Sequence, residues 1–196
     1  MMKVKLDILN HVYATLAEDQ IAMSQVINAH ERMLFKKGDI LLQKSQIMDC
    51  YYIVESGIIR SYVNNIHNEE VTVDFFKHHD IAIDIVSLFQ QCPSKVTIEA
   101  ISDVICYKID FALFQDLYIQ FPSFSEWGRN WMTMAYFNLR ERIIKMATQT
   151  ATQRYNDLRR NLPEVHREVP LKHIATFLGM TDTSLSRLRR NKMKMA

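Results

Sequence analysis

The feature that constrains the fold most is a run of short strand-like segments in the first half of the chain. Between residues 34 and 109, segments rich in β-branched and aromatic residues recur at close spacing and are separated by turn signals. The segments cover residues 40–42, 51–54, 58–63, 71–76, 96–98 and 104–109. Parallel strands would need long crossover helices, for which the intervals leave no room. The pattern therefore predicts an antiparallel sandwich or roll.

Helical periodicity flanks this strand-rich region on both sides. Residues 6–16 place apolar side chains at spacings of three and four, which predicts a short helix. Packing of this helix on the following domain is the favoured interpretation, and a partner-binding helix is the alternative. On the other side, Asp110 is expected to cap a helix over residues 111–120, which Pro122 closes.

A long helix follows, with Ser123 or Ser125 expected at its start and a span over residues 126–147. Its apolar residues lie on more than one face, and such a helix usually buries its second face against a partner. Coiled-coil-like dimerisation is therefore predicted, with burial inside one subunit as the alternative. The candidate dimer residues are Trp131, Met134, Leu139 and Met146.

The last part of the chain reads as a small helical domain. Helices are predicted over residues 152–161, over 171–178 and from Thr181 onward, with a loop over 164–169. Pro170 fits the start of a helix because its missing N–H costs little there, and Gly179 supplies the positive φ angle of a tight turn. Residues 170–188 therefore have the sequence pattern of a helix-turn-helix.

Within this motif, polar residues at the start of the final helix are the candidate readers of DNA. Arg187 can donate two hydrogen bonds to a guanine edge, and the hydroxyls of Thr183 and Ser184 can reach bases or phosphates. Asp182 belongs to the same predicted outer face. A solvated basic tail is the alternative interpretation of residues 187–194. Phosphate contacts are expected from Lys172, Thr181, Arg189 and Arg190.

The charge distribution indicates two modules with different tasks. Residues 151–196 carry ten basic and four acidic side chains, a net charge of +6, whereas residues 1–150 carry a net charge of −4. A basic end suits a polyanion such as double-stranded DNA. The three cysteines form no close pair, and neither a signal peptide nor a membrane-length apolar run is found, so a cytoplasmic protein without a membrane partner is expected.

Several short motifs resemble those of the Crp/Fnr family of bacterial transcription regulators. They are the helix-turn-helix and residues 37–39 (KGD), 51–57 (YYIVESG), 79–80 (HD), 98–100 (IEA) and 102–104 (SDV). The resemblance covers residues 6–190 and implies an α+β protein. Its parts are a cyclic-nucleotide-binding-type antiparallel β-roll (jelly-roll-like) in residues 1–121, a dimerisation helix in 122–148 and an all-α helix-turn-helix domain in 149–196. With six residues after Arg190, a full wing is not expected.

One segment departs from family members that respond to cyclic AMP. The resemblance implies a Gly-Glu pair and an arginine for the cyclic phosphate, whereas Ile83, Asp84 and Ser94 stand at those places. Lys95 can supply a charge but not the bidentate fork of an arginine. Asp84, Ser94 and Lys95 are therefore candidate pocket residues for an effector other than cyclic AMP, and a protein without an effector is the alternative. No metal or other cofactor is expected.

The predicted function is that of a homodimeric transcription regulator that binds an inverted repeat, with the helix over residues 181–191 in the major groove. The alternative is a small-molecule sensor that acts through protein contacts and carries a vestigial DNA-binding module. RNA polymerase stays open as a further partner. Catalysis is not predicted, because the acids and histidines form no nucleophile–base pair, metal motif or phosphate loop in the sequence.

Overall fold

The computed structural model describes residues 2–193, and within them it contains eight strands and nine α-helices. The predicted absence of a wing concerns residues 191–196, the last three of which lie outside the described residues. None of the helices between residues 2 and 193 combines the length and the apolar character needed to cross a membrane.

The strands form two four-stranded antiparallel sheets that enclose the main hydrophobic core. The sheet orders are β1-β8-β3-β6 and β2-β7-β4-β5, so β5 lies at an edge. Buried residues from both sheets, such as Ile53 and Ile98, belong to one apolar cluster. The strands are β1 (Glu31–Phe35), β2 (Ile40–Leu42), β3 (Cys50–Ser56), β4 (Ile59–Asn64), β5 (Glu70–Phe76), β6 (Ile81–Ala82), β7 (Thr97–Ala100) and β8 (Val104–Asp110).

The predicted β-roll is confirmed, since each of the six strand segments read from the sequence overlaps an observed strand. Two strands were not predicted. Strand β1 begins with a charged pair, Glu31 and Arg32, and strand β6 has only two residues, so neither gives a clear alternating pattern. Pairing with β8 and β3, respectively, forms these strands in the folded chain.

Helices surround the roll and form the C-terminal part of the chain. They are α1 (Met2–Val12), α2 (Gln20–Ala29), α3 (Ile85–Gln90), α4 (Phe111–Gln120), α5 (Pro122–Thr148), α6 (Ala151–Asn161), α7 (Pro163–Glu168), α8 (Leu171–Phe177) and α9 (Asp182–Met193). Helix α2, which was not predicted, is capped by Asp19, whose carboxylate accepts a hydrogen bond from the Ala22 N–H at 3.0 Å.

The predicted start of the long helix is wrong. Helix α5 begins at Pro122, which occupies the first turn where a proline costs no helical hydrogen bond. Neither predicted serine caps it. The Ser123 hydroxyl donates to the Asp19 carboxylate at 2.7 Å, and the Ser125 hydroxyl donates to the Tyr118 carbonyl oxygen. Both serines therefore fasten α5 to the preceding helices.

Two smaller predictions also fail. Asp110 precedes α4, but its side chain makes no capping hydrogen bond and pairs with Lys108 at 2.8 Å instead. The segment predicted as a loop over residues 164–169 is largely helix α7, which Pro163 opens. Its Val165 is fully buried, so packing of one apolar residue stabilises a helix too short to show a period.

The N-terminal helix packs on the following domain, as predicted. Leu9, Tyr13 and Leu16 are fully buried, and the Trp127 indole N–H donates to the Val12 carbonyl at 2.9 Å. A network of buried polar side chains lies beneath it: the Tyr13 hydroxyl lies 2.7 Å from the Tyr51 hydroxyl and 3.1 Å from His30 Nε2. This hydrogen-bond network connects the N-terminal helices to the first sheet.

His30 makes the stability of this region sensitive to acid. Its Nδ1 lies 2.7 Å from the Val26 carbonyl, and burial lowers its pKa from 6.5 to about 4. The folded protein favours the neutral imidazole, so stability is complete above pH 6.5 and is lost as pH falls toward 4. We expect this residue to contribute about 3 kcal/mol to the loss.

Urea unfolding between pH 7.5 and 4.5 measures this effect. In His30→Asn the side-chain amide can still donate to the Val26 carbonyl but cannot titrate, so the free energy of unfolding should fall less steeply with acid. His67→Asn, a change at an exposed turn, is the control and should keep the natural slope. Equal slopes in His30→Asn and the natural protein would show that His30 is not responsible.

Candidate nucleic-acid interface and effector site

Helices α8 and α9 and the turn between them form the helix-turn-helix. Gly179 ends the first helix with φ +65°, a conformation that disfavours any residue with a Cβ, and a Cβ there would also displace the Met146 methyl group, 2.8 Å away. Ala175 and Leu185 are buried where the two helices meet. The turn therefore holds α9 at a fixed angle to α8 and close to the end of α5.

Thr181 caps α9, as predicted. Its hydroxyl oxygen accepts a hydrogen bond from the Ser184 N–H at 3.2 Å, and it lies 2.8 Å from the Ser184 hydroxyl and 3.1 Å from that of Thr183. The three hydroxyls thus form one exposed cluster at the positive end of the helix dipole. Such a cluster suits phosphate oxygens and base edges.

The predicted DNA-contacting residues lie on α8, in the turn and on α9, and all of them except Arg189 are exposed. Arg189 is half-buried, and together with burial it lowers the pKa of His166. Among the described residues, no acidic side chain lies within ion-pair distance of Arg187. The exposed residues of the predicted set are Lys172, Thr181, Asp182, Thr183, Ser184, Arg187 and Arg190.

The long helix α5 presents a regular apolar seam. Its members follow one another at alternating spacings of four and three, the pattern of a coiled-coil interface. Met132 is half-buried and the others are between 41% and 62% exposed. The seam consists of Met132, Tyr136, Leu139, Ile143 and Met146.

This seam includes two of the four predicted dimer residues, Leu139 and Met146. Met134 is exposed on another side of α5, and Trp131 is half-buried against the core of its own subunit. The sequence analysis did not single out Tyr136 and Ile143, although their spacing from Leu139 was available as a signal. The helix as a whole was predicted, but its seam was not.

The predicted effector residues are only partly brought together. The Ser94 hydroxyl donates to the Asp84 carboxylate at 2.6 Å, and the other oxygen of Asp84 accepts from the Ser87 N–H at the start of α3. Lys95 is exposed. Asp84 and Ser94 therefore satisfy each other, and between residues 81 and 96 Lys95 is the sole basic residue. An anion placed here would meet the Asp84 carboxylate, and residues 81–96 offer it no arginine.

A cavity of about 390 Å³ lies between strand β5 and helix α5, and the sequence analysis did not predict it. His79, Asp80, Asn138 and Arg142 contribute polar groups to its lining. His79 adopts φ +71°, in the left-handed region that residues other than glycine seldom occupy. Burial lowers the pKa of His79 to about 4 and raises that of Asp80.

The described residues contain no group of three or more His, Cys, Asp or Glu side chains arranged to hold a metal ion. The three cysteines are free thiols, and burial raises the pKa of Cys50 to about 11 and that of Cys106 to about 12. Neither buried thiol is therefore activated as a nucleophile.

Comparison with known proteins agrees with this geometry. Residues 32–121 match the family model of the cyclic nucleotide-binding domain. No curated protein sequence matches the chain significantly. Among solved structures, a protein from Eubacterium rectale described as a transcriptional regulator of the Crp/Fnr family superposes with a TM-score of 0.70 at 18% identity, over 92% of this chain and 87% of that one.

Two further structures share the arrangement. FixK2 from Bradyrhizobium japonicum gives a TM-score of 0.68 at 16% identity, with 85% of each chain covered. A CooA mutant from Carboxydothermus hydrogenoformans gives 0.63 at 21% identity, over 87% of this chain and 79% of that one. The roll thus matches the cyclic nucleotide-binding domain model over residues 32–121, and it is joined to a helical C-terminal part. The chain has the fold of the Crp/Fnr transcription regulators, which confirms the resemblance seen in the sequence.

Proposed function

We propose that the protein is a homodimeric, sequence-specific DNA-binding transcription regulator. The observation that carries the proposal is the exposure of Asp182, Thr183, Ser184 and Arg187 on α9, a helix whose Leu185 is buried in the core of the helix-turn-helix domain. A helix presented in this way can enter the major groove with its first turns toward the bases. In this proposal residues 1–121 are the sensor or scaffold, residues 122–148 the dimer helix and residues 149–196 the reading domain.

Each polar residue has a role that follows from its chemistry. Arg187 reads a guanine through two hydrogen bonds, and Thr183 and Ser184 contact neighbouring bases or phosphates. Lys172, Thr181, Arg189 and Arg190 contact phosphates and set the position of the helix. Protein–DNA affinity of this kind depends on salt, because each phosphate contact releases counterions.

The apolar seam on α5 supplies the self-association. Leu139 and Ile143, at its centre, are more than half exposed in one chain, and a second copy of the same helix would cover them. Two reading domains related by a twofold axis then bind half-sites about 34 Å apart, one turn of DNA. Trp131 packs against the core of its own subunit and Met134 lies on another side of α5, so neither belongs to this seam.

Any effector is expected to differ from cyclic AMP. The hydrogen bond between Ser94 and Asp84 occupies the place where the cyclic phosphate would need an arginine. The cavity beside Asp80 and Arg142 offers charges of both signs, which favours a small polar ligand over a phosphodiester anion. RNA polymerase is a further partner in this proposal, and a cytoplasmic location follows from the role.

In vitro selection on fragmented genomic DNA at near-physiological salt tests the proposal. The purified protein should enrich an inverted repeat whose half-sites are about one helical turn apart. Cyclic AMP should leave both the motif and its enrichment unchanged. Enrichment without any motif, both alone and with cell extract added, would overturn the proposal and favour a sensor that acts through protein contacts.

A further inference from the structure

The C-terminal part of the chain closes an open sheet edge. Strand β5 lies at the edge of its sheet, where backbone N–H and C=O groups need partners other than a neighbouring strand. The Thr72 N–H donates to the Thr176 hydroxyl oxygen on α8 at 3.1 Å. The register between β4 and β5 skips Val73, and the freed Val73 carbonyl accepts from the Arg142 guanidinium on α5. The reading domain therefore docks on the roll through backbone groups as well as side chains.

Apolar contacts extend this docking surface. The Phe75 and Phe177 rings lie 5.0 Å apart, and the Arg142 guanidinium stacks over Phe177 at 4.1 Å. Ile58 and Ile101 of the roll belong to the same buried cluster as the core of the helix-turn-helix domain. The orientation of α9 relative to the roll depends on these contacts.

Arg60 is the polar centre of the docking surface and is 1% exposed. Its guanidinium binds the carboxylates of Glu70 and Glu99 from the roll. It also lies 2.6 Å from Nδ1 of His173 on α8. This last contact joins the two domains across 113 residues of sequence.

The contact fixes the protonation state of His173. A guanidinium has only donors, so His173 Nδ1 must accept the hydrogen bond and the imidazole must be neutral, with its proton on Nε2. Protonation would replace the acceptor with an N–H that faces another donor, and it would place a second positive charge 2.6 Å from Arg60. Protonation of His173 and docking therefore oppose each other.

The charged groups around His173 favour the neutral form. Among the described residues they are Arg60 on β4, Glu70 on β5, Glu99 on β7 and Lys172 on α8 itself. Burial, Arg60 and Lys172 together lower the pKa of His173 to about 4, and Glu70 opposes them. Both glutamates pair with Arg60, so the guanidinium offsets part of the attraction that they would exert on an imidazolium.

We infer that the Arg60–His173 contact is a proton-sensitive latch between the roll and the reading domain, and that acidification releases the domain from the edge of β5. The ordinary pKa of 6.5 applies to His173 in the released state, and a value of about 4 applies in the docked state. These values predict that the released fraction rises about tenfold between pH 7.5 and pH 5.5. The inference concerns docking and holds whether or not the protein binds DNA.

Hydrogen exchange at the Thr72 amide measures the released fraction, because its partner across the interface is Thr176. The variant His173→Asn keeps an acceptor for Arg60 and removes the titrating group. At each pH the exchange rate of the natural protein is divided by that of the variant, so that the intrinsic chemistry of exchange cancels. We expect this ratio to rise about tenfold from pH 7.5 to pH 5.5.

Two further measurements make the result decisive. His67→Asn changes an exposed histidine of the roll and should follow the natural protein at every pH. If His173→Asn itself releases the domain at all pH values, the latch is tested by measurements on the natural protein alone. Its His173 imidazole, followed by NMR, must titrate together with the loss of Thr72 protection. A constant ratio, or titration of His173 without that loss, would overturn the latch.

Discussion

Ile143→Asp is expected to convert the dimer into monomers and to weaken binding to a two-half-site operator by more than about a hundredfold. Ile143 is 60% exposed at the centre of the apolar seam on α5. In the variant, each of the two subunits would therefore bury one carboxylate in the dimer interface. Simultaneous binding of two half-sites raises affinity by about 10²–10⁴ over one, and a monomer forfeits this gain. Sedimentation and gel-shift titration measure the two effects.

The adjacent residue provides the matched control. Ile144 is 45% exposed and lies on α5 outside the seam, so Ile144→Asp introduces the same charge one position away. We expect this variant to stay dimeric and to bind the full operator within a few-fold of the natural protein. A DNA containing one half-site should bind the natural protein and both variants with similar affinity. Monomers formed by Ile144→Asp but not by Ile143→Asp would assign the interface to the other side of the helix.

Local patterns were sufficient to predict six of the eight strands of the roll, the long helix and the helix-turn-helix. Gly179 and Thr181 show why: a positive φ angle and a helix cap depend on neighbours within a few residues. The 4-3 spacing around Leu139 is likewise contained in the sequence. The boundary at Ser123 was wrong because the serine serves a tertiary contact with Asp19, 104 residues away.

The docking of the reading domain could not be predicted from the sequence. Arg60 and His173 are ordinary residues in their own segments, and their contact depends on the placement of α8 over the edge of β5. The same is true of the cavity lined by Asp80 and Arg142, whose residues come from distant parts of the chain. Local periodicity carries no information about which surface of one domain meets another.

Recognition of a specific DNA sequence should depend on the two N–H groups that the Arg187 guanidinium can donate to one base. We expect Arg187→Ala to cost about 1–3 kcal/mol of discrimination between the selected operator and the same site changed at one base pair, which is about fivefold to 150-fold. Arg187→Lys keeps the charge but not the planar fork, so it should lose most of the discrimination and little of the non-specific affinity. Competition titrations with matched and changed operators give these ratios.

Lys172→Ala separates reading from positioning. Lys172 is exposed at the start of α8, outside the proposed reading helix α9, and a phosphate contact is the role proposed for it. Its removal should weaken all DNA sequences alike and lower the slope of log affinity against log salt by about 1, with the discrimination ratio unchanged. Because the two variants change different quantities, each serves as the control of the other. If Arg187→Ala also lowered affinity uniformly and kept the discrimination ratio, Arg187 would be a phosphate contact and another residue of α9 would have to read the base.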